Sequence, residues 1–377
     1  MIEVPSSFVP VSIPGSGVRV ALGAGVLQHI GDIVKAERGT RALLVTDPGV
    51  RDAGHVEHAA RWLYKAGIPV RVFDGVGENP TTIHVGRGFF VAREFKPDII
   101  IGLGGGSSMD CAKGINFLFT NGGKVQDYWG VNKATKPMLP MIAIPTTAGT
   151  GSDAQSFALI TDPETHQKMA CGDSKALPRV AMLDPQLTET QPQAVAAATG
   201  IDAVAHAVES SATTRRNDVS LDFSRAAWDL LNQSFDQAMK NPHDAQAREN
   251  MLLGAHLAGA AIENSMLGAA HALANGLTAV CGTVHGVAVG LMLPHVVRFN
   301  AADKNPYTAL DENAEALATR IESMLDAGAI PRRLSEIGVI PELLPQLAAI
   351  AAKQWTATFN PRPVTETDLA SIYAAAL

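Results

Sequence analysis

The chain changes its hydrophobic period once, near residue 190, and that change restricts its architecture more than any other feature. Before it, short apolar runs at 18–22, 42–46, 70–74, 98–102, 141–145 and 180–184 are rich in Val, Ile or Leu and are bounded by Gly, Pro or Asp. That length and content predict buried strands. Stretches of helical period at 26–37, 56–66 and 82–94 lie between them. Strand–helix–strand alternation predicts a parallel sheet with helices on both faces. Residues 157–162 and 167–171, joined by a Pro163-Glu164 turn, read as an antiparallel hairpin added to that sheet.

After Pro185 the strand pattern stops. Thr188-Glu-Thr-Gln191 reads as a capping box that opens a helix. Ala- and Leu-rich segments follow at about 194–212, 219–239, 245–262, 271–281 and 287–299. Alanine is the best helix former, so this half is predicted to be all-α. The expected domains are therefore an α/β domain over 1–187 and a helical domain over 188–377.

Composition removes several classes of function. Thirty Lys+Arg against 37 Asp+Glu leave a net charge of −7, with no electrostatic footprint for duplex nucleic acid. A 5% aromatic share is too low for single-strand stacking platforms. Cys111, Cys171 and Cys281 form no CxxC pair, which fits a reducing compartment. The N-terminal residues lack a signal-peptide pattern, and no apolar run is long enough to span a membrane. A cytoplasmic enzyme or binding protein is expected.

Residues 98–107 run from an apolar strand through four glycines, Gly102, Gly104, Gly105 and Gly106, into a helix expected over 107–119. Glycine lets backbone approach a ligand closely, and a helix N-terminus favours phosphate. A tight strand–helix turn is the alternative. Ser107 stands at the last glycine position of G-x-G-x-x-G, so the spacing is not that of the usual dinucleotide fingerprint. A second loop, Pro145-Thr-Thr-Ala-Gly-Thr-Gly-Ser-Asp153, also follows a strand and offers hydroxyls to phosphate or ribose. Asp47 ends a third strand, where an acid accepts from the ribose 2′-OH of NAD and repels an NADP 2′-phosphate. It equally suits an Asp-Pro turn.

Asp202 and His206 are four apart on an apolar helix and share one face. His271 follows the turn at Gly268, and His285 precedes another apolar helix. Three imidazoles and one carboxylate suit Fe²⁺ or Zn²⁺ with a position left for a substrate oxygen. The i,i+4 pair alone is equally an ion pair or a satisfied core histidine, and spacing does not decide between them. His29, His55, His58, His84, His166 and His243 read as surface or turn residues, and His256 and His295 as core histidines.

The four segments Gly104-Gly-Gly-Ser-Ser-Met-Asp110-Cys-Ala-Lys113, Pro145-Thr-Thr-Ala-Gly-Thr-Gly-Ser152, Ala198-Thr-Gly-Ile-Asp202-Ala-Val-Ala-His206-Ala-Val-Glu209 and His285-Gly-Val-Ala-Val-Gly-Leu-Met-Leu-Pro294 together resemble the iron-containing (group III) alcohol dehydrogenases. Asn79-Pro80-Thr81 and Asn360-Pro361-Arg362 extend the likeness over almost the whole chain. The resemblance implies a Rossmann-like α/β domain and a helical domain, the architecture also of dehydroquinate synthase, with the site in the cleft between them. It implies metal and catalytic positions at Asp202, His206, His271 and His285. It implies NAD contacts from Asp47, Gly104, Gly105, Gly106, Ser107, Asp110, Thr146, Thr147, Thr150 and Lys168. It implies a homodimer or larger homo-oligomer.

The expected reaction is reversible hydride transfer between NAD(H) and a small primary alcohol or aldehyde whose oxygen meets Fe²⁺, alternatively Zn²⁺. A dehydroquinate-synthase-like lyase and a non-catalytic nucleotide-binding protein are the alternatives. Three departures bear on the substrate pocket. Asn275 stands where many relatives have a second histidine, and an amide exchanges no proton near neutral pH. Ile262 replaces a frequent Phe, and the segment 303–329 looks shortened by part of a helix.

Overall fold

The computed structural model describes every residue except Met1, Glu3, Val4, Pro5 and His166; the reading of His166 therefore lies outside the described residues. The chain divides into two compact units. One holds residues 6–147 and Ser152–Thr190, the other Ile2, Ala148–Gly151 and Gln191–Leu377.

The first unit is built on β1 (Ser7–Ser12), β2 (Arg19–Leu22), β3 (Ala42–Val45), β4 (Val70–Phe73), β5 (Ile99–Gly104), β6 (Gly130–Val131), β7 (Met141–Pro145), β8 (Phe157–Thr161), β9 (Lys168–Gly172) and β10 (Val180–Leu183). Its helices are α1 (Ile30–Ala36), α2 (Pro48–Asp52), α3 (His55–Lys65), α4 (Thr82–Phe95) and α5 (Gly106–Asn121). Seven strands lie in the order β1-β2-β10-β7-β5-β3-β4. All neighbours are parallel except β1, which runs antiparallel to β2 at the edge.

The apolar runs are continuous because both sheet faces are covered. Successive side chains of β5 point to opposite faces. Ile99, Ile101 and Leu103 join the core formed with Ile30, Val34, Ala59 and Leu63, whereas Ile100 joins Val85, Ala112 and Ile115 on the other face. The chain leaves β3 for β4 on one side and crosses to β5 on the other, so the topological switch point lies between β3 and β5.

Three expectations change. The hairpin β8–β9 forms antiparallel as read, but it builds a separate three-stranded sheet with β6 rather than joining the main one. The Thr188–Gln191 capping box does not open a helix: Thr188 bonds the Pro185 carbonyl at 2.9 Å, and the helix begins after Pro192. A residue that precedes proline is kept out of the α region, which holds Gln191 outside the helix. β1 was not anticipated, because Ser7, Ser12 and Pro10 break its apolar character.

The second unit is helical: α6 (Gln193–Ala212), α7 (Asp218–Lys240), α8 (Ala245–Asn264), α9 (Ala269–Cys281), α10 (His285–Ala301), α11 (Ala314–Ala327), α12 (Leu344–Ala351) and α13 (Glu366–Ala375). α6 packs on α7, α8 and α10, and α10 packs also on α9 and α11. The segment read as shortened runs irregularly from Asp303 to Asn313 and then forms α11. Among the described residues no helix is long and apolar enough to cross a membrane.

Glycine sets how closely α6 and α10 approach. A Cβ on Gly286 would lie 1.9 Å from the Ala198 carbonyl oxygen, which is backbone and cannot rotate away. Gly286→Ala is therefore expected to force the helices apart and to destabilise the protein by about 1–3 kcal/mol. A thermal melt checks this, and an unchanged melting temperature would contradict the close approach.

Candidate active site

α6 carries Asp202, His206 and Glu209 at i, i+4 and i+7, so all three project from one face. They are only 4%, 4% and 3% exposed. Charged groups on a buried helix face demand partners, and α9 and α10 supply them. His271 is the third residue of α9, and His285 is the first residue of α10, with its side chain still 30% exposed.

The Nε2 atoms of His206, His271 and His285 lie 3.5, 3.5 and 3.9 Å from one oxygen, Asp202 Oδ1. One ligand atom each of Asp202, His271 and His285 lie within 4.8 Å of one another. Neither Asp202 Oδ1 nor His271 Nε2 has a well-formed hydrogen bond among the described residues. Two buried polar atoms left in this way and facing each other are costly. Tetrahedral ligation at about 2.1 Å places donor atoms roughly 3.4 Å apart, close to the spacing observed. Asp202, His271 and His285 thus fit a divalent ion, with His206 3.5 Å from the same carboxylate oxygen, and the partly exposed His285 marks the side open to solvent.

The states of Asp202 and His206 point the same way, whereas His271 carries a proton that ligation at Nε2 would displace. Burial would raise the Asp202 carboxyl, but His206, His271 and His285 hold it well below the ordinary carboxylate range. Burial lowers His206 to about 4, leaving a neutral imidazole with a lone pair to donate. Burial also opposes charge on His271, but Asp202 and Glu209 outweigh it and raise the group to about 9.

Glu209 closes the Ala198–Glu209 segment and supports a neighbouring imidazole. Its Oε2 lies 2.6 Å from His271 Nδ1, and its Oε1 accepts the Ala270 amide at 2.7 Å. A carboxylate on Nδ1 leaves Nε2 as the ligating nitrogen and fixes the ring plane, the usual support of a metal-bound imidazole. The signal available in sequence was the i+7 spacing that completes one helix face.

Asp47 and the glycine-rich turn after β5 meet at the switch point of the first unit. Asp47 follows β3 and caps α2, its Oδ1 accepting the Val50 amide at 3.0 Å, and Pro48 follows it, so the Asp-Pro turn is real. Its Oδ2 accepts from Ser108 Oγ at 2.9 Å on α5. Gly104 ends β5 with φ +145°, and a Cβ there would meet Ser108 Oγ at 2.6 Å and Asp47 Oδ2 at 3.0 Å. Gly105 precedes α5 with no side-chain cap, and Gly106 and Ser107 form its first turn, so that N-terminus is open to an anion. Thr146 donates its amide to the Gly104 carbonyl at 3.0 Å, and Thr147 lies 3.5 Å from where a Gly105 Cβ would be.

Other expected positions lie elsewhere. Thr150 belongs to the helical unit, not to the unit of Thr146 and Thr147. Asp110 is buried, and its oxygens accept from Ser152 Oγ at 2.6 Å and the Leu159 amide at 3.1 Å. It works with Lys113, fully buried, whose Nζ donates to Ser152 and to the Phe157 carbonyl. Lys168 is exposed, its Nζ 3.5 Å from Asn79 Oδ1. Ile262 is buried near the end of α8, and Asn275, one turn beyond His271, donates to Gln354 Oε1 at 3.0 Å. His55, read as a surface residue, is buried against Thr190 Oγ1 at 2.8 Å.

Residues 17–185 match the family described as iron-containing alcohol dehydrogenase, and residues 196–377 match that family's C-terminal domain. The chain belongs to the iron-containing alcohol dehydrogenases. It is an oxidoreductase of that family. Alcohol dehydrogenase 4 of Schizosaccharomyces pombe is 35% identical, over 99% of this chain and 90% of that protein. An NAD-dependent methanol dehydrogenase of Bacillus methanolicus is 34% identical, over 94% of this chain and 97% of that one. The crystal structure of a 1,3-propanediol oxidoreductase, 35% identical, superposes with a TM-score of 0.91 over 95% of this chain and 97% of that one.

In this alcohol dehydrogenase, Glu209→Gln leaves the shape but removes the negative acceptor on His271. Zn²⁺ affinity, measured by competition with a chelator, is expected to fall by about 10–100-fold. Unchanged affinity would show that Glu209 does not support the ligand.

Proposed function

We propose that this enzyme interconverts a small primary alcohol and its aldehyde with NAD(H), using Fe²⁺ or alternatively Zn²⁺ held by Asp202, His206, His271 and His285. The observation that carries the reading is the convergence of three imidazoles on one buried oxygen of Asp202 that has no well-formed hydrogen bond among the described residues. Support for NAD comes from Asp47 at the switch point and from the relative named as NAD-dependent. The ion supplies Lewis acidity that eases loss of the alcohol proton, and NAD supplies the hydride acceptor.

The chain's own residues do the rest. Asp202 offers an ionised oxygen and His206 a neutral nitrogen, so neither needs a proton removed before ligation. Glu209 fixes the His271 ring. Gly104, Gly105, Gly106 and Ser107 offer backbone to a pyrophosphate, with Thr146 and Thr147 beside them. Asp110 and Lys113 act from behind by fixing Ser152 and β8. Asn275 holds no proton to relay, so the alcohol proton leaves by water or by the cofactor ribose.

The direct test is NAD⁺ reduction over a panel of small alcohols by the metal-stripped protein, reconstituted with Fe²⁺ or Zn²⁺. Turnover restored by metal is expected; a reconstituted enzyme inert to alcohols and aldehydes would end this reading. Asp47→Asn keeps the α2 cap but removes the charge. The ratio of kcat/KM for NADP⁺ to that for NAD⁺ is expected to rise about tenfold or more as like-charge repulsion is lost. An unchanged ratio would remove Asp47 from ribose recognition. Asn275→His introduces a group titrating near 6.5, and kcat/KM should gain an inflection in that range. A superposable pH profile would show that position 275 stands outside the proton path.

A further inference from the structure

Asn360-Pro361-Arg362 was part of the sequence likeness, and no step of the proposed reaction uses it. α9, which carries His271, starts without a side-chain cap of its own, because Gly268 precedes it. Two distant side chains supply the missing acceptors. Glu209 Oε1 takes the Ala270 amide at 2.7 Å, and Asn360 Oδ1 takes the Ala269 amide at 3.2 Å. Gly268 makes room for both, since a Cβ there would lie 2.9 Å from Glu209 Oε1 and 3.1 Å from Asn360 Oδ1.

The Asn360 amide is itself held in one orientation. Its Nδ2 donates to Asn300 Oδ1 at 2.6 Å and to the Arg362 carbonyl at 2.7 Å, and its Oδ1 also accepts from Asn300 Nδ2 at 3.1 Å. A flipped amide would set an NH₂ against the Ala269 N–H and an oxygen against the Arg362 carbonyl. Asn300 in turn donates to Tyr307 Oη at 2.8 Å, and Asn300, Tyr307 and Asn360 are all buried. Arg362 closes the motif by donating to the Phe299 carbonyl at 2.8 Å, its guanidinium 4.2 Å from the Phe299 ring centre.

We infer that Asn360 is a positioning residue for the metal centre: it caps α9 in trans and, with Glu209, fixes the start of the helix that presents His271 Nε2. The inference rests on the metal reading above. It concerns how the ligand is held, not which residues ligate.

The test is Zn²⁺ binding by the full-length metal-stripped protein, by competition with a chromophoric chelator, together with the rate of Zn²⁺ loss to EDTA and the melting temperatures with and without Zn²⁺. Asn360→Ala should weaken binding by about tenfold and speed release in proportion, as for other outer supports of a ligand. Asn360→Asp keeps the acceptor for Ala269 but sets an oxygen where Nδ2 now donates to the Arg362 carbonyl, so it should lose stability yet bind Zn²⁺ more tightly than the alanine variant, by about threefold or more. If the alanine variant does not fold, Asn360→Ser, whose shorter side chain does not reach the Ala269 amide, takes its place. Two results would overturn the inference: an alanine or serine variant with wild-type affinity and release, or a folded aspartate variant that binds no more tightly than they do. A merely structural role would lower both melting temperatures equally and leave affinity intact. A wild type that takes up no divalent ion would instead overturn the metal reading itself, and this inference with it.

Discussion

A carboxylate oxygen placed inside a helical bundle without a well-formed hydrogen bond among the described residues is the constraint on which the second unit depends. Asp202 Oδ1 is in that position, with three imidazole nitrogens 3.5–3.9 Å away. Left alone, such an oxygen costs the full desolvation of its charge. The surrounding helices accept that cost because they hold the histidines rigidly: α6 supplies the acid and one imidazole, α9 and α10 one imidazole each. The low position of the Asp202 carboxyl and of the His206 imidazole follow from one geometry, in which burial and neighbouring charges leave a negative oxygen beside a neutral nitrogen.

The ligating residues take little of their precision from their own helices. α9 and α10 both begin without a side-chain cap, and α9 relies on Glu209 and Asn360 for its first amides. Small residues allow the approach that this needs. Gly268 leaves space for the two caps, and Gly286 lets α10 lie against the Ala198 carbonyl. In both places glycine serves close contact and not unusual torsion, since neither has positive φ.

How much of this could be read in advance follows the distance over which each residue acts. The six main strands were legible because burial on both faces imposes continuous apolar runs, and the long Ala-rich helices because propensity and period agree over many turns. Asp202 and His206 were legible because an i,i+4 pair is local. β1 was hidden by its polar residues, and the Thr188–Gln191 motif misled because Pro192 overrides a cap. Asn360 and Ala269 are 91 residues apart, and Glu209 and His271 are 62 apart. No local period records such a bond, so the roles of Glu209 and Asn360 became visible only in three dimensions.

The loop 145–153 adds a last constraint. It reads as one hydroxyl-rich segment, yet Thr146 and Thr147 belong to the α/β unit and Thr150 to the helical one. Its ends and its middle are fixed by different means. On the α/β side, Thr146 bonds the Gly104 carbonyl, and Ser152 is gripped by the buried Lys113 and Asp110. At its middle, Gly149 lies against Thr199, where a Cβ would meet the Thr199 carbonyl oxygen at 2.7 Å. A side chain at Gly149 would strike α6 one turn before Asp202, so this glycine answers to the packing of the helical bundle.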